Sequence, residues 1–484
     1  MRDSVHDGTP LGAVDTAWLH MEQRTNLMMV TGLFLLDGPL DVDDLRETLR
    51  ERVTDRFPRM RHRVRENGTG ACWARDPDFD LRTHVHRMAL PRPGGLVALR
   101  EVVSDLMSTP LDFGKPLWQC HLIERAHGGC AVLMRLHHCI GDGLALGHLL
   151  LSMTDRVPWL ETHATPVLRQ RLADQVGWLA DHAGAVIASV LRGGLQAGRL
   201  AGDVLDAIRH PSHAATLARS VAEGAGIVYD LLKRPCDPST PLRGPLGVSK
   251  KAAWSRAIPL DEVKRIGARS GATVNDVLLA AIAGGLRRYL TSRGTRPGGL
   301  EIHATVPVNL RPAEEAGELG NRFGLVQVAL PVGVRRREQR LHLVQERMQA
   351  LKTSHEALVA FQLLGALGRA PRRVADVFLN LLGSKSTAVM TNVVGPRWPV
   401  YLCGRRVDSL MFWVPQSARM GVGVSILSYA GQVTVGVSTD EGLVPDPEAI
   451  VAAFEAEVRA LRRPASRGPR ASATPTRARR VPRG

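Results

Sequence analysis

At 484 residues, with 44% apolar and 23% charged residues, the chain exceeds what one hydrophobic core usually supports, so two domains are the starting expectation. The formal charge of +16 suits an anionic partner or surface, but no nucleic-acid motif is evident, and an aromatic content of 4% argues against a base-stacking platform. Cys72, Cys120, Cys130, Cys139, Cys236 and Cys403 lie without paired spacing, no signal peptide is evident, and apolar runs such as 277–286 fall short of the roughly 18 residues of a spanning helix. These features predict a cytoplasmic protein that does not cross a membrane.

In chain order, an apolar strand is predicted over 28–36, helices over 42–54 and 96–107, and strands over 117–124 and 130–138. This mixed order suggests an α/β sandwich with much antiparallel pairing. From 158 to about 247 the chain becomes rich in Ala, Leu, Gly and Arg with helical spacing, as at 176–179, 186–187 and 190–191, which reads as a helical connector with one apolar side. Pro235, Pro238, Pro241 and Pro245 mark an extended crossover at its end. A second α/β unit begins near Lys251, with a strand over 252–258, helices over 260–269 and 274–289, and strands around 302–308, 325–330, 388–394, 422–428 and 433–437. The last segment, 464–484, holds six arginines and no acidic residue and is expected to be disordered. The predicted units are therefore 1–157, 158–247, 248–463 and 464–484.

The segment 130–143 carries the chemistry. Side chains alternate faces along a strand, so His138 shares its side with Val132, Met134 and Leu136, while His137 shares the other with Leu133 and Arg135. Two imidazoles on opposite faces do not act on one atom. A neutral imidazole in an apolar cleft is a good proton acceptor, which makes His138 the candidate general base. Gly141 and Gly143 around Asp142 are expected to let the backbone reverse tightly into a helix over 144–153, with Asp142 anchoring that turn. Other readings of the same residues are two satisfied polar groups at a strand end, a metal site, or Cys139 as a nucleophile. Opposite-facing neighbours do not chelate one ion, and Cys139 points away from the face of His138.

His137-His138-x-x-x-Asp142-Gly143, with its strand in front and helix behind, resembles the bacterial wax ester synthase/diacylglycerol acyltransferase family of the chloramphenicol-acetyltransferase-like superfamily. Further blocks stand in the family's order: Pro116-Leu117-Trp118, Thr273-Val274-Asn275-Asp276, Val306 to Arg311, Gly320-Asn321-Arg322-Phe323, and Thr391-Asn392-Val393-Val394-Gly395-Pro396. An opening stretch with Asp15, Glu22 and Met29-Val30, and a closing one with Ser425 to Tyr429, Asp440 and Pro445-Asp446, extend the likeness from about residue 10 to 462.

The resemblance implies two α/β sandwich lobes joined by the connector, with an interface tunnel centred on His138. Long-chain acyl-CoA would enter from one side and diacylglycerol or a long-chain alcohol from the other. It implies direct acyl transfer, with acyl-CoA as co-substrate and no cofactor or metal. His137 would shape the strand end or brace the second lobe. Thr273 and Asp276 have the form of a capping box, and Asn275 either donates toward substrate or holds the catalytic strand. Pro116, Leu117 and Trp118 pack a strand start, with Trp118 a candidate for lining the acyl channel, and Asn392 and Gly395 are candidates for bordering the substrate. Acceptors this apolar imply peripheral contact with a membrane or lipid-droplet surface, through the connector and the basic surface. Competing functions are transfer to a smaller alcohol or amine, and a non-catalytic lipid-binding or droplet protein.

Overall fold

A computed structural model describes residues 8–155 and 233–462, apart from 68–69, 127, 312–317, 353, 355, 371, 373–374, 376–379 and 382. Most of the predicted connector and the whole of the basic tail lie outside the described residues. The first half contains β1 (Gly8–Pro10), α1 (Ala13–His20), β2 (Met29–Leu36), α2 (Val42–Leu49), β3 (His62–Asn67), β4 (Gly70–Arg75), β5 (Val85–Ala89), α3 (Leu96–Ser108), β6 (Trp118–Ala126), β7 (Gly129–His137) and α4 (Gly143–Ser152). The second contains β8 (Lys250–Trp254), β9 (Ile258–Pro259), α5 (Leu260–Ala268), α6 (Val274–Ser292), β10 (Ile302–Asn309), β11 (Phe323–Leu330), α7 (Arg337–Lys352) and α8 (Glu356–Arg369). It continues with β12 (Ala388–Val394), β13 (Tyr401–Leu402), β14 (Arg405–Trp413), β15 (Val422–Tyr429), β16 (Gln432–Asp440) and α9 (Pro447–Arg462).

Two large sheets carry the fold. One has the order β13-β14-β2-β7-β6-β5, the other β11-β10-β12-β15-β16-β8 with β9 also paired to β16, and β1-β4-β3 form a small third sheet. All eight residues of β2 and eight of the nine in β7 are buried, because both faces of the first sheet are covered. One face packs Phe34, Val132, Met134 and Leu136 into the main core of the first half. The other packs Leu33, Leu35, Ala131 and Leu133 against α3 and against Trp254 and Trp413. In the second half, α6 buries Val277 to Leu286 against the second sheet together with Phe454 of α9 and Val344 of α7.

The halves are not separate in sequence. The predicted C-terminal unit, 248–463, surrenders β13 and β14 to the first sheet, where Leu410 stands opposite Phe34 and Phe412 opposite Gly32. Helix α3 ties back in the other direction: Ser104 Oγ accepts from Ala252 N at 3.0 Å and Ser108 Oγ from Lys250 N at 2.8 Å. The strand predicted over 252–258 is interrupted at Ser255, whose N donates to Val435 O at 2.9 Å while its Oγ accepts from Val435 N at 3.0 Å. The predicted helix over 42–54 is α-helical only to Leu49 and ends in a π-helical turn, Arg50–Thr54. The proline-marked crossover runs from Pro235 to Ser249 without helix or sheet strand and is pinned by buried Asp237, which accepts from His303 N at 2.8 Å. Among the described residues, no helix is long and apolar enough to cross a membrane.

Candidate active site

The apolar run of β7 ends where His137 N donates to Leu117 O at 3.0 Å and His138 N donates to Met28 O at 2.7 Å. Asp142 then starts α4 as its N-cap: one carboxylate oxygen accepts from Leu144 N at 3.1 Å and Ala145 N at 2.9 Å. The other accepts from Arg311 Nη2 at 2.8 Å and Arg322 N at 2.9 Å, and Asp142 N donates to Gly320 O at 3.1 Å. With both oxygens engaged, Asp142 serves as an anchor that stitches this turn to the second half. The expected glycine-driven reversal differs in its cause. Neither Gly141 nor Gly143 has a positive φ. Gly141 lies at a close approach, where a Cβ would meet Gly320 N at 3.3 Å and Ala145 Cβ at 3.0 Å, whereas a Cβ on Gly143 would meet nothing within 4 Å.

His138 is buried, with its ring stacked on Trp18 at 4.0 Å between centroids and 13° between planes, and Phe323 5.6 Å away. Its Nδ1 lies 3.0 Å from Asn321 Oδ1. Burial lowers its pKa from the usual histidine value to about 4, so the ring is neutral at physiological pH. Asn321 Nδ2 donates to Asp15 Oδ1 and to His138 O, each at 2.8 Å, and Asn321 N reaches the same Asp15 oxygen at 3.0 Å. Arg59 stands 3.7 Å from the other Asp15 oxygen and donates to Ile140 O at 2.8 Å. Burial nevertheless pushes the Asp15 carboxyl up from its ordinary value.

A cavity borders His138 between the two sheets. Its walls are Val30 and Gly32 of β2, Gly147 and Leu151 of α4, Leu410 of β14 and Val393 of β12, and it holds about 1240 Å³ of atom-free space with its mouth included. Asn309, Thr391, Asn392 and Asp142 are the polar residues on this otherwise apolar wall besides His138. The expected interface site is thus a cavity bounded by both halves, with the predicted base on its wall.

The other predicted residues divide between cavity and scaffold. Asn392 and Gly395 border the cavity. Asn275 stands one bond behind, with its Oδ1 accepting from Asn392 Nδ2 at 3.0 Å. Thr273 and Asp276 form the capping box, Asp276 N to Thr273 Oγ1 at 3.2 Å and Thr273 N to Asp276 Oδ2 at 2.8 Å. Trp118 is not among the cavity-lining residues. It is fully buried, stacks on His84 at 4.6 Å and donates from Nε1 to Met60 O at 2.8 Å, which uses both its ring and its polar handle in packing. Leu117 is buried beside it, and Pro116 precedes the strand. His137 also faces away from the cavity, accepting from Cys139 N at Nδ1 with its Nε2 3.4 Å from Glu22 Oε2. Cys139 is fully buried and its thiol is pushed well up by that burial, which suits packing rather than attack on a substrate. Among the described residues, no group of three His, Cys, Asp or Glu side chains could hold a metal ion.

Asp15, Trp18, Arg311, Asn321 and Phe323 surround His138 or Asp142, although the sequence assigned none of them a role at the site. Four of them stand in the ordered blocks quoted above and Trp18 lies three residues from Asp15. The blocks mark four of them as part of the likeness but not what they touch, because each meets the site through sequence-distant packing.

The wax ester synthase/diacylglycerol acyltransferase catalytic-domain model matches residues 11–278, and the C-terminal-domain model of the same family matches 319–462. A Mycobacterium tuberculosis H37Rv protein named as a probable diacylglycerol O-acyltransferase, tgs1, is 31% identical over 469 residues, covering 93% of this chain and 95% of its own. A second from that organism, named as a putative diacylglycerol O-acyltransferase, is 28% identical over 500 residues, covering 96% and 98%. In fold, the chain is similar to the wax ester synthase/diacylglycerol acyltransferase from Marinobacter aquaeolei VT8, with a TM-score of 0.65 and 21% identity over 94% of this chain and 98% of that one. It is also similar to the first condensation domain of the calcium-dependent antibiotic synthetase, with a TM-score of 0.57 and 17% identity over 95% and 96%. The catalytic-domain match spans more than half the chain and the mycobacterial likeness nearly all of it, so this protein belongs to the wax ester synthase/diacylglycerol acyltransferase family.

Proposed function

We propose that the protein transfers a long-chain acyl group from acyl-CoA to diacylglycerol, a fatty alcohol or both, making triacylglycerol or wax ester by direct transfer with His138 as general base. The observation that carries this reading is a neutral, buried imidazole on the wall of a mostly apolar cavity between the two halves. The hydroxyl proton passes to His138 as the alcohol oxygen attacks the thioester carbonyl. The tetrahedral oxyanion then collapses, the C–S bond breaks, and the imidazolium returns its proton to the leaving thiolate. A thiol with an ordinary pKa near ~8.5 leaves without a dedicated strong acid. The apolar walls exclude competing water, and acyl-CoA serves as co-substrate with no further cofactor in the scheme.

Acceptors of this kind are held at a membrane or lipid-droplet surface, and the formal charge of +16 favours peripheral approach to anionic lipid. The test is thiol release from palmitoyl-CoA with hexadecanol, dioleoylglycerol or glycerol offered separately, beside His138→Ala. Release should depend on an apolar acceptor and fall by roughly a hundred- to ten-thousand-fold in the variant. Near-wild-type turnover by a folded His138→Ala would overturn the role of the base, and preference for glycerol would overturn the acceptor class.

A further inference from the structure

We propose that Asn321 and Asp15 are positioning residues that keep the proton of His138 on Nδ1, so that Nε2 is the proton acceptor, and that this depends on docking of segment 320–323 from the second half against the first. An asparagine offers one accepting oxygen and one donating nitrogen, and its neighbours decide which way it is turned. The Asn321 amino group touches two groups that only accept, the Asp15 carboxylate and the His138 carbonyl, both at 2.8 Å. That places Oδ1 toward His138 Nδ1 at 3.0 Å. A carbonyl oxygen only accepts, and the ring also bonds to the His138 carbonyl itself, so Nδ1 must donate, and in a neutral imidazole the free lone pair is then on Nε2. The flipped amide would set its oxygen against a carboxylate oxygen and a carbonyl, two acceptors facing a third, and turn its amino group toward Nδ1.

The rest of the surroundings hold this arrangement. Asp15 also accepts from Asn321 N and stands 3.7 Å from Arg59, and Asp15 and Trp18 lie three residues apart on α1, so one helix supplies both the carboxylate and the stacking ring. Asn321 arrives beside Gly320 and Arg322, whose backbones hold Asp142. The same docking therefore anchors the turn after His138 and sets its tautomer. Other charged or titratable groups near the ring are His137, with Glu22 behind it, and Asp142, paired to Arg311.

The catalytic part of this inference rests on His138 being the base; the proton's location does not. The experiment is nitrogen-15 NMR of histidine side chains in the full-length protein at neutral pH, with the His138 signals identified by their loss in His138→Gln. Wild type should show a protonated Nδ1 and an unprotonated Nε2. In Asp15→Asn, which keeps the shape of the side chain, and in Asn321→Ala, where the ring keeps only the bond to its own carbonyl, a measurable share of the proton should move toward Nε2, and kcat should fall roughly ten- to a hundredfold at little-changed KM. Asn321→Asp should keep Nδ1 protonated but shift the acidic limb of the kcat profile to higher pH, because a carboxylate favours the imidazolium. A wild-type ring protonated on Nε2 overturns the proposal. So does a folded Asn321→Ala or Asp15→Asn with an unmoved proton and unchanged kcat. An active His138→Gln would instead sink the general-base reading and leave the tautomer result standing.

Discussion

Gly147→Leu tests whether the cavity beside His138 receives an aliphatic chain. Gly147 is in the middle of α4 on the cavity wall, its φ is not positive, and a Cβ there would meet nothing within 4 Å. Neither backbone geometry nor close packing requires glycine, and a glycine inside a helix costs roughly 0.5–1 kcal/mol relative to alanine. A leucine puts about four carbons into space that the substrate would otherwise fill. At about 0.8 kcal/mol per buried methylene, displacing four costs a long chain about 3 kcal/mol, or roughly two hundredfold in kcat/KM. A chain that ends short of α4 loses nothing. Initial rates of thiol release with octanoyl-, dodecanoyl- and palmitoyl-CoA at fixed acceptor form one arm, and octanol to hexadecanol at fixed palmitoyl-CoA the other. The arm in which preference moves to shorter chains identifies the substrate that runs past Gly147, while the thermal midpoint holds or rises. An equal loss at every length in both arms, or a lowered midpoint, would show that Gly147 has a packing role and that no chain passes it.

Asp142→Ala removes the cap of α4 and the carboxylate that joins it to Arg311 and Arg322 N, so the folded state should lose about 2–3 kcal/mol by denaturant titration, whereas His138→Ala should leave the fold largely intact. Trp118→Phe forfeits the hydrogen bond to Met60 O and should cost about 1 kcal/mol of stability with no change in chain-length preference; an altered preference would place Trp118 on the substrate path after all. The pKa of His138 is lowered to about 4 by burial, so an unfolded chain, with an ordinary histidine near ~6.5, binds the proton first. Stability should therefore be full above about pH 6.5 and decline as the pH falls toward 4, and His138→Gln should flatten part of that decline in urea midpoints. A midpoint that rises on acidification across this range would contradict the buried, neutral ring.

Local chemistry was legible wherever one segment carries its own signal. The apolar run of β7 and its terminal histidine pair, the Asp142 cap and the Thr273–Asp276 capping box are short-range patterns, and they stand where spacing and side-chain type placed them. The hairpin β3–β4 went unseen because His62–Asn67 is mostly polar, with no apolar alternation to announce a strand. Trp118 reads equally well as a channel wall or a packing residue, and only its bond to Met60, which lies 58 positions upstream, separates the two.

By itself the sequence determined the order of elements, the family resemblance and the candidate base, because a strand, a turn and a helix cap are written in neighbouring residues. Only the tertiary structure decided that β14 crosses into the first sheet and that the cavity has walls from both halves. Only it brought Asn321 and Asp15, 306 positions apart, together behind His138. Those outcomes depend on which buried surfaces and unpaired backbone edges find each other across hundreds of residues, and no local periodicity encodes that pairing.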